Sequence, residues 1–175
     1  MAGSVRVFIA CSLDGFIAGP GGDLSWLPAP EVGEDYGYAA FMAETAALLL
    51  GRATYDVAAG FDSWPYGTLP VFVATSRPLP GAPAPVRAVA GTPSQLLDAV
   101  RARTDGAIYL DGGSLIRAFL DANLVDELTV TIVNVILGDG VPLFVGVAEP
   151  HRLRLTAATP YPSGLVHLRY TAIGG

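Results

Sequence analysis

Lysine is missing from this chain. All ten basic side chains are arginine, set against sixteen carboxylates, for a formal charge of −6 over 175 residues. The absence removes Schiff-base and lysine-base mechanisms. Net acidity argues against non-specific binding to nucleic acid or to an anionic membrane, while an arginine pocket for a phosphorylated ligand stays compatible with it. Cysteine is nearly absent as well: Cys11 stands alone, which excludes an intrachain disulfide and argues against an extracellular disulfide scaffold. Within its apolar run, Cys11 reads as a small buried hydrophobe rather than a nucleophile. The two histidines, His151 and His167, lack the spacing of metal ligands, so no metal is expected and both are assigned to surface or strand positions. A nucleophile-elbow motif is also missing, which sets aside a Ser/His/Asp hydrolase. No segment approaches the roughly 20 apolar residues that cross a bilayer. A cytoplasmic protein with neither a membrane nor a nucleic-acid partner is expected.

What is present is a hydrophobic majority, 51% of residues, enough to bury a sizeable core in a single domain spanning residues 1–175. Residues 5–11 form an apolar run broken only by Arg6, suited to a strand buried on both faces. A helix is predicted over about 35–48 from the spacing of Tyr38, Phe41, Met42 and Thr45, with an apolar stretch, 46–50, delivering the chain to Gly51. Strands are predicted over 70–75, 86–89 and 107–110. Thr92-Pro93 opens a helix to about 103, and a second helix covers about 115–123. A long β-branched span, 127–137, precedes two alternating runs, 153–158 and 165–172, that predict an antiparallel hairpin. Strands alternating with helices indicate an α/β fold: a mostly parallel central sheet with helices on both faces and an antiparallel C-terminal hairpin.

The most informative stretch is Tyr109-Leu110-Asp111-Gly112-Gly113-Ser114-Leu115-Ile116, a strand that runs through paired glycines into a helix. Glycines there let a ligand approach the main chain, and the free N–H groups opening a helix attract anions. Three further loops each follow a strand: 14–26, 51–55 and Thr75-Ser76-Arg77. In a parallel sheet such loops converge on one edge, where these sheets bind ligands.

The order of these motifs resembles the dihydrofolate reductase-like superfamily, and most closely the branch of the riboflavin-biosynthesis reductase C-terminal domain. The resemblance rests on five blocks in order: Ala10-Cys11-Ser12-Leu13-Asp14-Gly15-Phe16-Ile17-Ala18 with Trp26 downstream, Gly51-Arg52-Ala53-Thr54-Tyr55, Val73-Ala74-Thr75-Ser76-Arg77, Leu110-Asp111-Gly112-Gly113, and Val135 to Phe144. It implies a three-layer dihydrofolate reductase-like fold and an NADPH-dependent reductase of a small heterocyclic, carbonyl or imine substrate. Ala10 and Ile17 would border the nicotinamide. Gly51, Arg52 and Thr54 would bind the adenosine side, with Thr75, Ser76 and Arg77 walling the adenine ribose and its 2′-phosphate. Gly112, Gly113, Ser114 and Leu115 would hold the pyrophosphate and nicotinamide ribose. Asp14 and Trp26 are expected at the substrate. A catalytic carboxylate on the first helix would be Asp35, with Glu31 the alternative, and a helix-dipole role for Asp35 is weighed against both. Arg52 as a surface ion pair and Thr54 as a helix N-cap are the plainer alternatives at those positions. Trp64 and Tyr66 read as a substrate wall or an interface. A homodimer is expected, its contact made by the C-terminal strands.

Overall fold

The computed structural model describes residues 3–28 and 34–173. Its main sheet has eight strands in the order β5-β4-β3-β6-β1-β7-β10-β9. Strands β1 (Val5–Ser12), β3 (Thr45–Gly51), β4 (Val71–Ala74), β5 (Val86–Val89), β6 (Ala107–Asp111) and β7 (Glu127–Val133) run parallel to their neighbours in that order. The hairpin of β9 (Leu153–Pro160) and β10 (Val166–Ala172) extends the β7 side antiparallel. A small second sheet pairs β2 (Phe16–Ala18) with β8 (Val141–Pro142). The expected three-layer α/β architecture is therefore what the chain adopts.

Side-chain alternation divides the core into two. On one face Val7, Leu49, Ile108 and Leu110 pack with helices α3 (Pro93–Arg101) and α4 (Gly113–Asp121), which supply Leu96, Leu97, Ile116 and Phe119. On the other, Leu48, Leu50, Val73 and Tyr109 meet Phe41 of α1 (Tyr38–Ala43) and Tyr55 of α2 (Arg52–Ala59). Leu48, Leu49 and Leu50 of β3 are all fully buried, as a central strand covered on both faces requires.

The helix predicted over 35–48 is much shorter. It stops at Ala43, and the residues after it form β3. The Thr45 hydroxyl donates to the Phe41 carbonyl (2.9 Å), occupying the last turn's acceptor as the chain turns into the sheet. The 127–137 span likewise ends as a strand at Val133. Elsewhere the local signals act as expected. Thr92 and Gln95 form a capping box at α3, and Asn123, at φ 55°, takes the left-handed position that ends α4. No helix among the described residues is long and apolar enough to cross a membrane.

Candidate functional site

Because β1, β3, β4 and β6 are parallel, the segments leaving them meet at one edge of the sheet. There Gly51 and Gly112 lie backbone to backbone. A Cβ on Gly112 would sit 3.1 Å from the Gly51 nitrogen, 3.2 Å from its Cα and 3.0 Å from the Thr54 hydroxyl. Gly112 also has φ +113°, a conformation that a side chain rarely adopts. Each glycine is the N-cap of a helix, Gly51 of α2 and Gly112 of α4, and neither helix has a side-chain cap. Two helix starts thus meet at these glycines, with the Thr54 hydroxyl beside them and the Gly112 N–H donating to the Asp111 carboxylate (2.7 Å). Thr54 lies in the first turn of α2 rather than at its cap, with its hydroxyl against Gly112.

The flanks of this cradle come from the other expected segments. A Cβ on Gly113 would strike Ile17 Cδ1 at 2.8 Å, so β2 lies directly over the start of α4. Arg117 holds that arrangement. Its guanidinium donates to the carbonyls of Pro142 (2.7 Å) and Leu143 (3.2 Å) and to the Ser114 hydroxyl (3.2 Å). Arg52 pairs with Asp56 (2.8 Å), the plainer alternative at that position, and also donates to the Pro78 carbonyl (3.2 Å). That second contact brings it beside the exposed Ser76 and Arg77, where the Thr75 hydroxyl accepts from the Arg77 N–H (3.1 Å). Trp26 is half-buried in the loop after β2, its indole N–H donating to the Asp23 carbonyl (3.1 Å).

The two other expected carboxylates have local employment. Asp35 accepts from the N–H groups of Gly37 (3.0 Å) and Ala39 (2.8 Å) at the entry of α1, and these bonds lower its pKa. This is the helix-end role weighed for it in the sequence. Glu31 lies outside the described residues. Asp14 accepts from the Ser12 hydroxyl (2.6 Å) and from the N–H groups of Gly138 (2.7 Å) and Leu137 (3.1 Å), which hold its carboxyl down to about 2. It therefore fastens the 135–138 loop over the end of β1. Cys11 is buried beneath, its thiol pushed up to about 11 by desolvation and by the Asp14 charge.

Asp111 is the residue that the sequence reading used only as part of a motif. It ends β6 and follows Tyr109 by two positions, so the two share the α1 face. Its carboxylate accepts from the Gly112 N–H (2.7 Å), and the Tyr109 hydroxyl lies 3.3 Å away while donating to the Phe8 carbonyl (2.9 Å). Burial pushes the Asp111 carboxyl up to about 6, against the lowering effect of these hydrogen bonds. Its charge is felt by Tyr38 and Tyr66, whose hydroxyl pKa values rise through burial first and Asp111 second. Val7 lies opposite Leu110 in the register, which places Phe8 beside Asp111 and Ala10 just beyond, on the same face. A half-buried carboxyl with a raised pKa thus adjoins both Ala10 and the paired glycines. A titratable residue two places after a buried tyrosine in the same strand is the signal that would have found it.

Comparison with known proteins agrees with the fold. A crystallised putative riboflavin biosynthesis protein from Shewanella sp. PV-4 superposes with a TM-score of 0.89 at 32% identity, covering 98% of this chain and 99% of that one. Dihydrofolate reductase from Enterococcus faecalis, solved with NADP(H), shares the fold at a TM-score of 0.70 and 18% identity, with 99% of each chain covered. The Bacillus subtilis protein YwjB is 30% identical over 166 residues, 94% of this chain and 95% of that protein. The RibD C-terminal domain family matches residues 4–167, and the chain belongs to that family.

Proposed function

We propose that this protein is an NADPH-dependent reductase that transfers hydride to a small heterocyclic substrate, pterin-like or ribosylaminopyrimidine-like, or to a carbonyl or imine. The observation that carries the reading is the meeting of two uncapped helix starts at Gly51 and Gly112 with the proton-holding carboxyl of Asp111 alongside. The backbone N–H groups of α2 and α4, with Thr54 and Ser114, would hold the diphosphate. Arg52, Thr75, Ser76 and Arg77 would take the 2′-phosphate, which favours NADPH over NADH. Gly113 and Leu115 would support the nicotinamide ribose, with Ala10 and Ile17 against the nicotinamide itself. When bound, the cofactor supplies the hydride.

The protein's part is alignment, exclusion of water and a proton. The β2–β8 pair, anchored by Arg117 and by Asp14, would cover the cofactor with Trp26 at the mouth. Asp111 would donate a proton to the reduced nitrogen or oxygen of the acceptor, with Tyr38 and Tyr66 lining its pocket. A carboxyl with a pKa of about 6 is partly protonated near neutrality, and activity that depends on it falls as pH rises above that value. Asp35 is less suited to this role because both its oxygens already accept backbone N–H groups. A homodimer through the C-terminal hairpin remains part of the proposal, since β9 ends the sheet as an exposed edge strand.

Calorimetric titration with NADPH and, separately, with NADH tests the reading. Saturable binding with a preference for NADPH supports it and leads to a screen of pterins and ribosylaminopyrimidines as hydride acceptors. Failure of a folded sample to bind either refutes it. Tight NADPH binding without turnover of any acceptor supports instead a non-catalytic NADP(H)-binding protein.

A further inference from the structure

Between α1 and the β9–β10 hairpin the molecule has a cavity of about 280 Å³, whose floor includes Phe8, the neighbour of Asp111 in the sheet. None of the residues assigned above to the cofactor or to proton transfer lines it. Its floor is the sheet face carrying Phe8, Thr129, His167 and Arg169, and Tyr36 and Tyr161 rise at its sides. Tyr161 stands edge-on to both Tyr36 (5.0 Å between ring centroids) and His167 (4.9 Å), and Phe8 lies 5.5 Å from His167 in the same manner. The wall is therefore aromatic on three sides.

Three observations separate this cavity from an ordinary surface dent. Tyr36 has φ +53°, a conformation uncommon for a bulky side chain, and the chain is held there by the Glu34 carboxylate accepting from the Tyr36 N–H (2.8 Å) and by Asp35 bonding the next turn. The Tyr36 hydroxyl and the His167 Nε2 are buried without a hydrogen-bond partner among the described residues, although folded proteins pair nearly all such groups. Arg169 has no ion-pair partner among the described residues, whereas Arg6 at the far end of the cavity is engaged by Glu44 (2.9 Å) and Glu127 (3.8 Å). The unmet chemistry is thus the Arg169 cation, the Tyr36 hydroxyl and the His167 Nε2 set among aromatic rings, with the Arg6 Nε also without a hydrogen bond beside its two carboxylates. The Tyr161 hydroxyl lies 3.4 Å from His167 Nδ1; in the tautomer that accepts from this hydroxyl, the ring proton is on Nε2, which is then a donor.

We propose that this cavity binds a small aromatic carboxylate, its ring against Tyr36 and Phe8, its anionic group at Arg169, and its oxygens accepting from His167 and Tyr36. The volume lies at the lower end for small-molecule sites and suits a compact ligand rather than a dinucleotide. An aromatic anion uses Arg169, His167, Tyr36 and the surrounding rings at once, which an aliphatic acid or an uncharged ring does not.

The two histidines give a direct readout, because each has its own imidazole C–H signal by NMR and His151, paired with Asp121 (3.2 Å), serves as the internal control. Titration of the full chain with benzoate is expected to move the His167 signal saturably and leave His151 in place. Cyclohexanecarboxylate and benzamide are expected to bind at least about tenfold more weakly, as is benzoate to the exposed-site variant Arg169→Ala, which loses one charge-assisted contact. No saturable movement, an equal movement of His151, or unchanged affinity in Arg169→Ala overturns the proposal. So does a His167 signal that follows protein concentration and ignores benzoate, which assigns the cavity to contact between copies. No cofactor enters this titration, so its outcome is independent of NADPH binding.

Discussion

Replacing Asp111 by Asn removes the one enclosed titratable carboxyl at the candidate site while keeping an oxygen that can accept from the Gly112 N–H. The size of the effect follows from proton linkage. The carboxyl has an ordinary pKa of 3.8, raised to about 6 in the fold. Below pH 3.8 it is protonated whether the chain is folded or not. Between 3.8 and about 6 the folded protein holds a proton that the unfolded chain has released, so stability falls as pH rises through this window. Above it, the ionised buried group costs the fold about 3 kcal/mol, two pKa units and a fraction at 1.36 kcal/mol each. Asp111→Asn is therefore expected to match the parent near pH 3.5 and to exceed it above pH 7 by roughly 6–12 °C in Tm for a domain of this size. Thermal unfolding of both proteins across that pH range measures the difference. A Tm gap that stays constant with pH refutes the raised pKa, and with it the reason for assigning Asp111 the proton. Turnover supplies the second half: the stabilised variant should bind NADPH as the parent does and lose hydride transfer.

Three further outcomes follow from contacts already described. Gly112→Ala places a Cβ 3.1 Å from the Gly51 nitrogen at φ +113°, so it should lose about 1–3 kcal/mol of stability and most NADPH affinity; undiminished cofactor binding by calorimetry would count against the cradle. Asp14→Asn should speed hydrogen exchange at the Leu137 and Gly138 amides, which its carboxylate accepts from. Because that carboxyl is held down to about 2, the stability it contributes is present above pH 3.8 and lost as pH falls toward 2, so the variant and the parent should converge in acid. Cys11, buried with its thiol near 11, should resist an aromatic disulfide reagent at pH 8 until denaturant is added, and immediate labelling of the native protein would contradict its placement.

Much of this architecture was legible wherever a local signal had one physical meaning. Strand β5 lies over the very residues anticipated, Thr92-Pro93 opens a helix, and the two alternating runs near the C-terminus pair as a hairpin. The α1–β3 boundary was not legible. Tyr38, Phe41, Met42 and Thr45 keep helical spacing up to the residue where the strand begins, and a strand buried on both faces shows no alternation to mark its start. The glycine cradle could be read because its parts are short contiguous motifs that a parallel sheet must bring to one edge. The local uses of Asp35 and Asp14 depend instead on which backbone N–H groups a loop turns toward them. The aromatic cavity was beyond reach, since Tyr36, Tyr161 and His167 meet only through a loop and a hairpin more than a hundred residues apart.

The place of β1 in the sheet also fixes the order in which the molecule can be built. Strand β1 lies between β6 and β7, and its first residue is tied by the Val5 N–H donating to the Asp126 carboxylate (2.7 Å) and the Asp126 N–H to the Val5 carbonyl (2.9 Å). During synthesis this apolar strand has no sheet partner until β6, at Ala107–Asp111, has emerged. The closure is costly in chain entropy and slow, as non-local parallel pairing is. Until then β3, β4 and β5 can assemble only an open half-sheet, with β1 still unpaired.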